Sequence, residues 1–166
     1  MITAGAAAAL LYWYKRRKPP PGAVLTEALL DAQECEVLET LLRDMLADGA
    51  SLPGKTFSPV NSASFKERNQ SRATLQFGVY VDKNRVQNTR VASLPPALVR
   101  LARKLKKRGI VADAPDACCV NFYEAGQWLP DHVDSRKFGR PIVTVSLGSR
   151  QAIVFRRGGF LTRRLS

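Results

Sequence analysis

Histidine is nearly missing from this sequence: His132 is the single one among 166 residues. A metal site that draws two histidines from one chain therefore cannot be assembled from it. Cysteine is scarce too. Cys35, Cys118 and Cys119 make an odd count with no C-x-x-C spacing, which excludes a disulfide framework and a thiolate zinc site. The adjacent pair would point to opposite faces of a strand and would not serve one ion together. This usage fits a reducing compartment, so nucleus or cytoplasm is the expected location. Long apolar runs are missing as well. MITAGAAAALLYWY (residues 1–14) falls short of the roughly 20 residues that a spanning helix needs. Its positive charge, KRRK, follows the apolar part, whereas a signal peptide carries it before. A short helix or tail is expected over residues 1–18. The alternative is association with a membrane surface through Tyr12, Trp13 and Tyr14. Acidic residues are the last shortage: 14 against 26 basic ones, for a net charge of +12 and a pI near 10.2. That balance favours a polyanionic partner, nucleic acid before an anionic membrane.

What remains is enough for a folded domain. Hydrophobic residues make up 45% and charged residues 24% of an 18.3 kDa chain, values of a globular protein with a buried core. Pro19, Pro20, Pro21 and Gly22 separate an N-terminal segment (1–22) from a single domain (23–166). A helix is expected from Thr26, as its cap, to Asp48-Gly49, with Leu30, Val37, Leu38, Leu41, Leu42, Met45 and Leu46 at helical spacing. Residues 51–71 read as a loop, RATLQFGVYV (72–81) as a strand and DKNR (82–85) as a turn. SLPPALVRLARKLKKRG (93–109) predicts a second helix with proline in its first turn and Gly109 at its end. Leu94, Leu98, Leu101 and Leu105 form its apolar stripe. Its other side carries Arg100, Arg103, Lys104, Lys106, Lys107 and Arg108, either a solvated face or a phosphate-binding one. Strands are expected at 117–124, 141–149 and 151–155, and RRGGFLTRRLS reads as a hairpin turn with the start of a further strand. Helices followed by strands indicate an α+β fold or a β-sandwich with helices on one sheet. There is no internal repeat.

Chemistry concentrates in NFYEAGQWLPDHVDSRKFGRPIVTVSL (121–147). On an extended segment His132 and Asp134, two apart, face the same way and can converge on one ion. Imidazole plus carboxylate is two-thirds of the facial triad of non-haem Fe(II) oxygenases. A chance pairing on the surface is the plain alternative. Asn121 and Tyr123 likewise share a strand face, where an amide and a phenol could hydrogen-bond a small dicarboxylate, or could be an ordinary half-buried polar pair.

The ordered series N-x-Y, glycine-containing turn, H-x-D and R-P-I-V-T-V-S-L resembles the AlkB family of Fe(II)/2-oxoglutarate dioxygenases, in particular the eukaryotic branch that demethylates N6-methyladenine in RNA. RATLQFGVYV is similar to the family strand that leads into the nucleotide-recognition lid. The resemblance is loose over 24–160 and close over 118–155. It implies a double-stranded β-helix (jelly-roll) core with two N-terminal helices packed on it. Fe(II) would be held by His132 and Asp134, and the co-substrate 2-oxoglutarate by Asn121 and Tyr123. The implied reaction is oxidative N-demethylation, with the methyl group leaving as formaldehyde from a base presented out of its stack. Gln76, Phe77 and Tyr80 would lie near that base, Arg72 at a base edge or phosphate, and Arg100, Arg103, Lys104 and Lys107 along the nucleic-acid backbone, RNA more than DNA.

One departure bears on activity. No histidine follows Asp134, and Arg156, Arg157, Arg163 and Arg164 come too soon after QAIVF to match the family arginines that bind 2-oxoglutarate. The expectation is a jelly roll incomplete on its C-terminal side, with impaired catalysis. The rival expectation is a non-catalytic basic nucleic-acid-binding protein on part of that scaffold.

Overall fold

The computed structural model describes residues 21–59, 68, 70–149, 153–157 and 160–165. The apolar segment 1–18, with its expected helix or membrane association, lies outside them. Among the described residues no helix is long and apolar enough to cross a membrane. The chain divides into two units, one spanning Val37–Thr144 and the other drawn from residues before and after it.

Helix α1 (Ala32–Ala47) starts later than the sequence suggests, and Asp31 caps it in place of Thr26. The Glu34 N–H donates to Asp31 Oδ1 at 2.8 Å and the Asp31 N–H to Glu34 Oε2 at 2.9 Å. Two donors that the helix leaves unpaired are thereby satisfied reciprocally. Ala28, at φ 51°, breaks the path from Thr26. Leu38 and Leu42 carry the buried stripe, whereas Val37, from the same periodic series, is exposed. Helix α2 (Pro96–Lys107) lies inside its expected range and buries Leu98, Ala102 and Leu105. It ends as the glycine predicts. Gly109 takes φ 67°, its N–H donates to Lys106 O at 2.9 Å and the Ile110 N–H donates to Leu105 O at 3.0 Å. That pair of bonds is the Schellman arrangement, which needs a left-handed residue.

The α+β fold contains seven strands among the described residues, all paired antiparallel: β1 (Phe57–Ser58), β2 (Ala73–Phe77), β3 (Tyr80–Asp82), β4 (Arg85–Gln87), β5 (Cys118–Phe122), β6 (Ile153–Arg157) and β7 (Phe160–Leu165). The main sheet has the order β1-β2-β5, while β3-β4 and β6-β7 are hairpins. Leu75 and Phe77 of the central strand β2 have no exposed surface. Thr56, equally buried inside the expected loop, ties three segments together. Its Oγ1 donates to Pro53 O and accepts from the Ala92 N–H, both at 2.6 Å, while its carbonyl accepts from the Gln76 N–H at 2.7 Å.

Two strand expectations change. The single strand 72–81 is split at Gly78, which turns at φ 79° and donates its N–H to Ala92 O at 2.8 Å. Residues 141–149 join no ladder among the described residues, despite their alternating apolar pattern. Alternation gives a segment two distinct faces, but a strand also needs a neighbouring backbone to pair with. Ile153, Val154 and Phe155 of the expected strand QAIVF lie in β6, which pairs antiparallel with β7 with a register shift between Phe155 and Arg156. The expected turn between the two strands lies outside the described residues.

A Cβ on Gly78 would lie 2.2 Å from Asp116 O, in a conformation that L-residues avoid. Gly78→Ala is expected to lower unfolding stability by about 2–4 kcal/mol in urea titrations. Burial, with a smaller contribution from Cys119, pushes the Cys118 thiol up to about 11 from an ordinary 9.0. The folded chain thus holds this proton more tightly than the unfolded one. The resulting stability is complete below pH 9 and is lost as the pH rises towards 11. At pH 8, iodoacetamide should modify Cys118 roughly 100-fold more slowly in the folded protein than in urea, because only the thiolate reacts.

Candidate metal centre

The β2-β5 ladder assembles the first group of polar residues. Thr74 pairs with Asn121 and Ala73 with Phe122, so Arg72 and Tyr123 flank the same end of the sheet. Arg72 Nε donates to Asn121 Oδ1 at 2.7 Å. The sequence assigns these two side chains to different ligands, nucleic acid and 2-oxoglutarate, but the fold makes them direct partners. Because Oδ1 accepts from a guanidinium, the amide is oriented with its NH₂ on the other side. Tyr123 is 44% exposed. Burial of its remaining surface raises its phenol pKa, Arg72 opposes that rise and Cys119 adds to it.

The next residues form a loop. Gly126, at φ 83°, turns the chain after β5, and the Glu124 N–H donates to Gln127 Oε1 at 2.8 Å. Gln127 Nε2 reaches Ser71 Oγ at 3.3 Å, and Trp128 Nε1 donates to Arg68 O at 3.1 Å. These bonds return the loop to the segment before β2.

His132 and Asp134 lie beyond that loop. Nε2 and Oδ1 are 3.6 Å apart, with the two side chains 49% and 38% exposed. His132 Nδ1 is 2.8 Å from Pro130 O. A carbonyl only accepts, so a hydrogen on Nδ1 points to Pro130 O, and Nε2 is the ring nitrogen that faces Asp134. Ligating histidines commonly commit the other ring nitrogen in this way, which leaves Nε2 as the nitrogen that could hold a metal. Two donors on neighbouring corners of an octahedral ion, with bonds of about 2.1 Å, sit roughly 3 Å apart. The observed separation is close enough for a small rotation to close. The pair fits a divalent ion as two adjacent ligands. Among the described residues, no three His, Cys, Asp or Glu side chains gather as a complete ligand set.

Two residues that the sequence reading did not single out hold this segment. Asn84, in the β3-β4 turn, donates from Nδ2 to Val133 O at 2.6 Å and accepts the Ser135 N–H on Oδ1 at 2.9 Å. Arg140 Nη2 donates to Asp134 O at 3.2 Å and Ser135 O at 3.1 Å. The turn-forming DKNR pattern signals the location of Asn84, but nothing in it signals a contact 49 residues away.

The expected base-contacting residues are placed unevenly. Gln76 is 7% exposed, with its amide spent on Val81: Oε1 accepts the Val81 N–H at 2.7 Å and Nε2 donates to Val81 O at 3.1 Å. Phe77 is core and offers no ring face for stacking. Tyr80 is half-buried on β3, opposite Gln87. Arg100, Arg103, Lys104 and Lys107 recur at helical spacing on the side of α2 opposite Leu98, Ala102 and Leu105. Lys106 lies off that row and pairs with Asp113 at 3.2 Å.

Comparison with known proteins agrees with this chemistry. The profile of the 2OG-Fe(II) oxygenase superfamily matches residues 22–164. An RNA demethylase, ALKBH9B of Arabidopsis thaliana, is 32% identical over 99 residues, covering 53% of this chain and 20% of that protein. The tRNA (carboxymethyluridine(34)-5-O)-methyltransferase alkbh8 of Xenopus tropicalis is 36% identical over 64 residues, covering 38% of this chain and 10% of its own length. The corresponding ALKBH8 of Macaca fascicularis is 26% identical over 124 residues, 73% of this chain and 18% of its own. The chain thus spans a fifth or less of these curated relatives. No solved structure matches it. The superfamily implies a jelly-roll core with Fe(II) and 2-oxoglutarate, and the described residues show antiparallel sheets and two helices. By the match over most of its length, and by its AlkB-type relatives, the chain belongs to the 2OG-Fe(II) oxygenase superfamily as an AlkB-like member.

Proposed function

We propose that this chain carries the first two metal ligands and the co-substrate contacts of an AlkB-type oxygenase that demethylates nucleic-acid bases, RNA before DNA, with N6-methyladenine as the leading substrate. The observation that carries this reading is the convergence of His132 Nε2 and Asp134 Oδ1, with Nδ1 already committed to Pro130 O. When bound, Fe(II) with 2-oxoglutarate and O₂ supplies the oxidation that hydroxylates an N-methyl group, which is then released as formaldehyde. His132 and Asp134 would hold the ion. The outward NH₂ of Asn121 and the Tyr123 hydroxyl would donate hydrogen bonds to 2-oxoglutarate. Tyr80 would be the ring that meets a base, and the α2 face Arg100, Arg103, Lys104 and Lys107 would lie along phosphates. The AlkB-like relatives with RNA in their names support the substrate class.

A second reading has its own observation. The row of four basic residues on α2 lies opposite the buried stripe, which suits a non-catalytic protein that binds nucleic acid. The two readings separate on purified protein. Stoichiometric Fe(II) binding with 2-oxoglutarate turnover supports the oxygenase, and both should be lost in His132→Ala and Asp134→Asn. Absence of Fe(II) binding in the wild type, with RNA binding retained, favours the second.

Both readings predict salt-dependent RNA binding. Replacing Arg100, Arg103, Lys104 and Lys107 by glutamate should reduce the slope of log K against log salt by about 3, at roughly 0.7 per contacted phosphate on single strands. Fluorescence anisotropy between 50 and 200 mM salt, on the order used for such slopes, reads this. An unchanged slope would assign the row to solvation.

A further inference from the structure

The β3-β4 turn makes a contact that its own sequence does not announce. Lys83 and Asn84 both take positive φ, 46° and 62°, the backbone of a tight two-residue hairpin turn. That conformation brings the Asn84 amide against the metal-bearing segment. Nδ2 donates to Val133 O at 2.6 Å, and Oδ1 accepts the Ser135 N–H at 2.9 Å. Donor and acceptor are thus both used on the backbone groups either side of Asp134. An amide can donate and accept at once, as a carboxylate cannot. Two bonds to one segment fix its rotation as well as its distance. Arg140 grips the same stretch through Asp134 O and Ser135 O.

The hairpin itself is held by a second amide. Gln76, on β2, pairs with both backbone groups of Val81 on β3. Hydrogen bonds therefore tie the central strand to the hairpin at Val81, and the hairpin at Asn84 to the residues either side of Asp134. Tyr80 and Arg85 lie on that hairpin, and the register pairs Asp82 with Arg85 across its end.

We propose that Asn84 is a positioning residue of the metal centre: its side-chain amide sets how Asp134 is presented beside His132 and couples the β3-β4 hairpin to metal loading. The proposal rests on the metal reading of His132 and Asp134. It makes the hairpin and the metal-bearing segment one thermodynamic unit. A cation bound by His132 and Asp134 steadies the hairpin, and a ligand that steadies the hairpin raises cation affinity by the same factor.

The test uses the full chain with Co(II) as the probe cation. Asn84→Gly removes the amide and keeps a residue at ease with positive φ. Asn84→Asp keeps the acceptor for the Ser135 N–H and removes the donor to Val133 O. Hydrogen exchange is read at the Ser135, Val81 and Val86 amides, and Co(II) affinity and its visible absorption by titration. In the wild type, Co(II) should slow exchange across the hairpin. In Asn84→Gly, Ser135 should exchange at least about tenfold faster, Co(II) affinity should fall roughly 10–100-fold, and the hairpin should no longer respond to the metal. Asn84→Asp should keep Ser135 protected yet bind Co(II) more weakly with an altered spectrum, which a purely structural role would not produce. If His132→Ala abolishes Co(II) binding while both Asn84 variants keep wild-type affinity and spectrum, the positioning role is overturned and the metal assignment stands. If wild type and His132→Ala bind Co(II) equally, the metal assignment fails and takes the coupling with it.

Discussion

The antiparallel ladder between β2 and β5 is the constraint on which the site depends. It sets Thr74 against Asn121, which in turn places Arg72 and Tyr123 at one end of the sheet. A slip of one residue would send Asn121 to the opposite face and leave the Arg72 guanidinium without its partner. The register is held by burial: Leu75 and Phe77 lose all contact with solvent only when β2 lies as it does. The same strand supports β1 on its other edge, and Thr56 and Gly78 each bind back to Ala92. Apolar burial thus decides where the polar chemistry of Asn121 stands.

Around this ladder, short polar side chains complete backbone pairings that the strands cannot make. Gln76 takes both hydrogen-bonding groups of Val81, Asn84 takes one each from Val133 and Ser135, and Thr56 bridges Pro53 to Ala92. Buried or half-buried backbone groups left without partners are costly, and irregular segments have no ladder to satisfy them. The H-x-D segment is such a segment. It lies in no strand, so its geometry depends on Asn84, Arg140 and the bond from His132 to Pro130 O. His132 and Asp134 are therefore positioned by side chains rather than by a sheet.

Much of the fold could be read from local pattern. Helix α2 was legible because proline at its start, leucine at helical spacing and Gly109 at its end all state one preference. Helix α1 was legible in its body and not at its start. Thr26 and Asp31 are both acceptable caps, and the choice depended on Glu34 reaching back to Asp31. The DKNR turn and the break at Gly78 illustrate the same division. Asparagine and glycine advertise positive φ, but whether RATLQFGVYV continues or folds over depends on the nearby Asp116 carbonyl and Ala92. Residues 141–149 have strand composition without a partner among the described residues. Within the site, Gln76 and Phe77 look like ligand-facing residues in sequence and are occupied by the core, since β2 is buried on both faces at its end.

By itself, the sequence determined the chemical inventory. It holds a single histidine with an aspartate two residues on, an Asn-x-Tyr pair, a surplus of basic charge and a membership of the 2OG-Fe(II) oxygenase superfamily that those motifs already indicated. These are properties of residue type and spacing, and no folding is needed to state them. The tertiary structure decided how that inventory is arranged. It joined Arg72 to Asn121, turned His132 Nε2 towards Asp134 and brought Asn84 from a distant turn onto the H-x-D segment. Each of those is a hydrogen bond between residues whose meeting depends on strand register or loop path, and spacing along the chain carries no record of either.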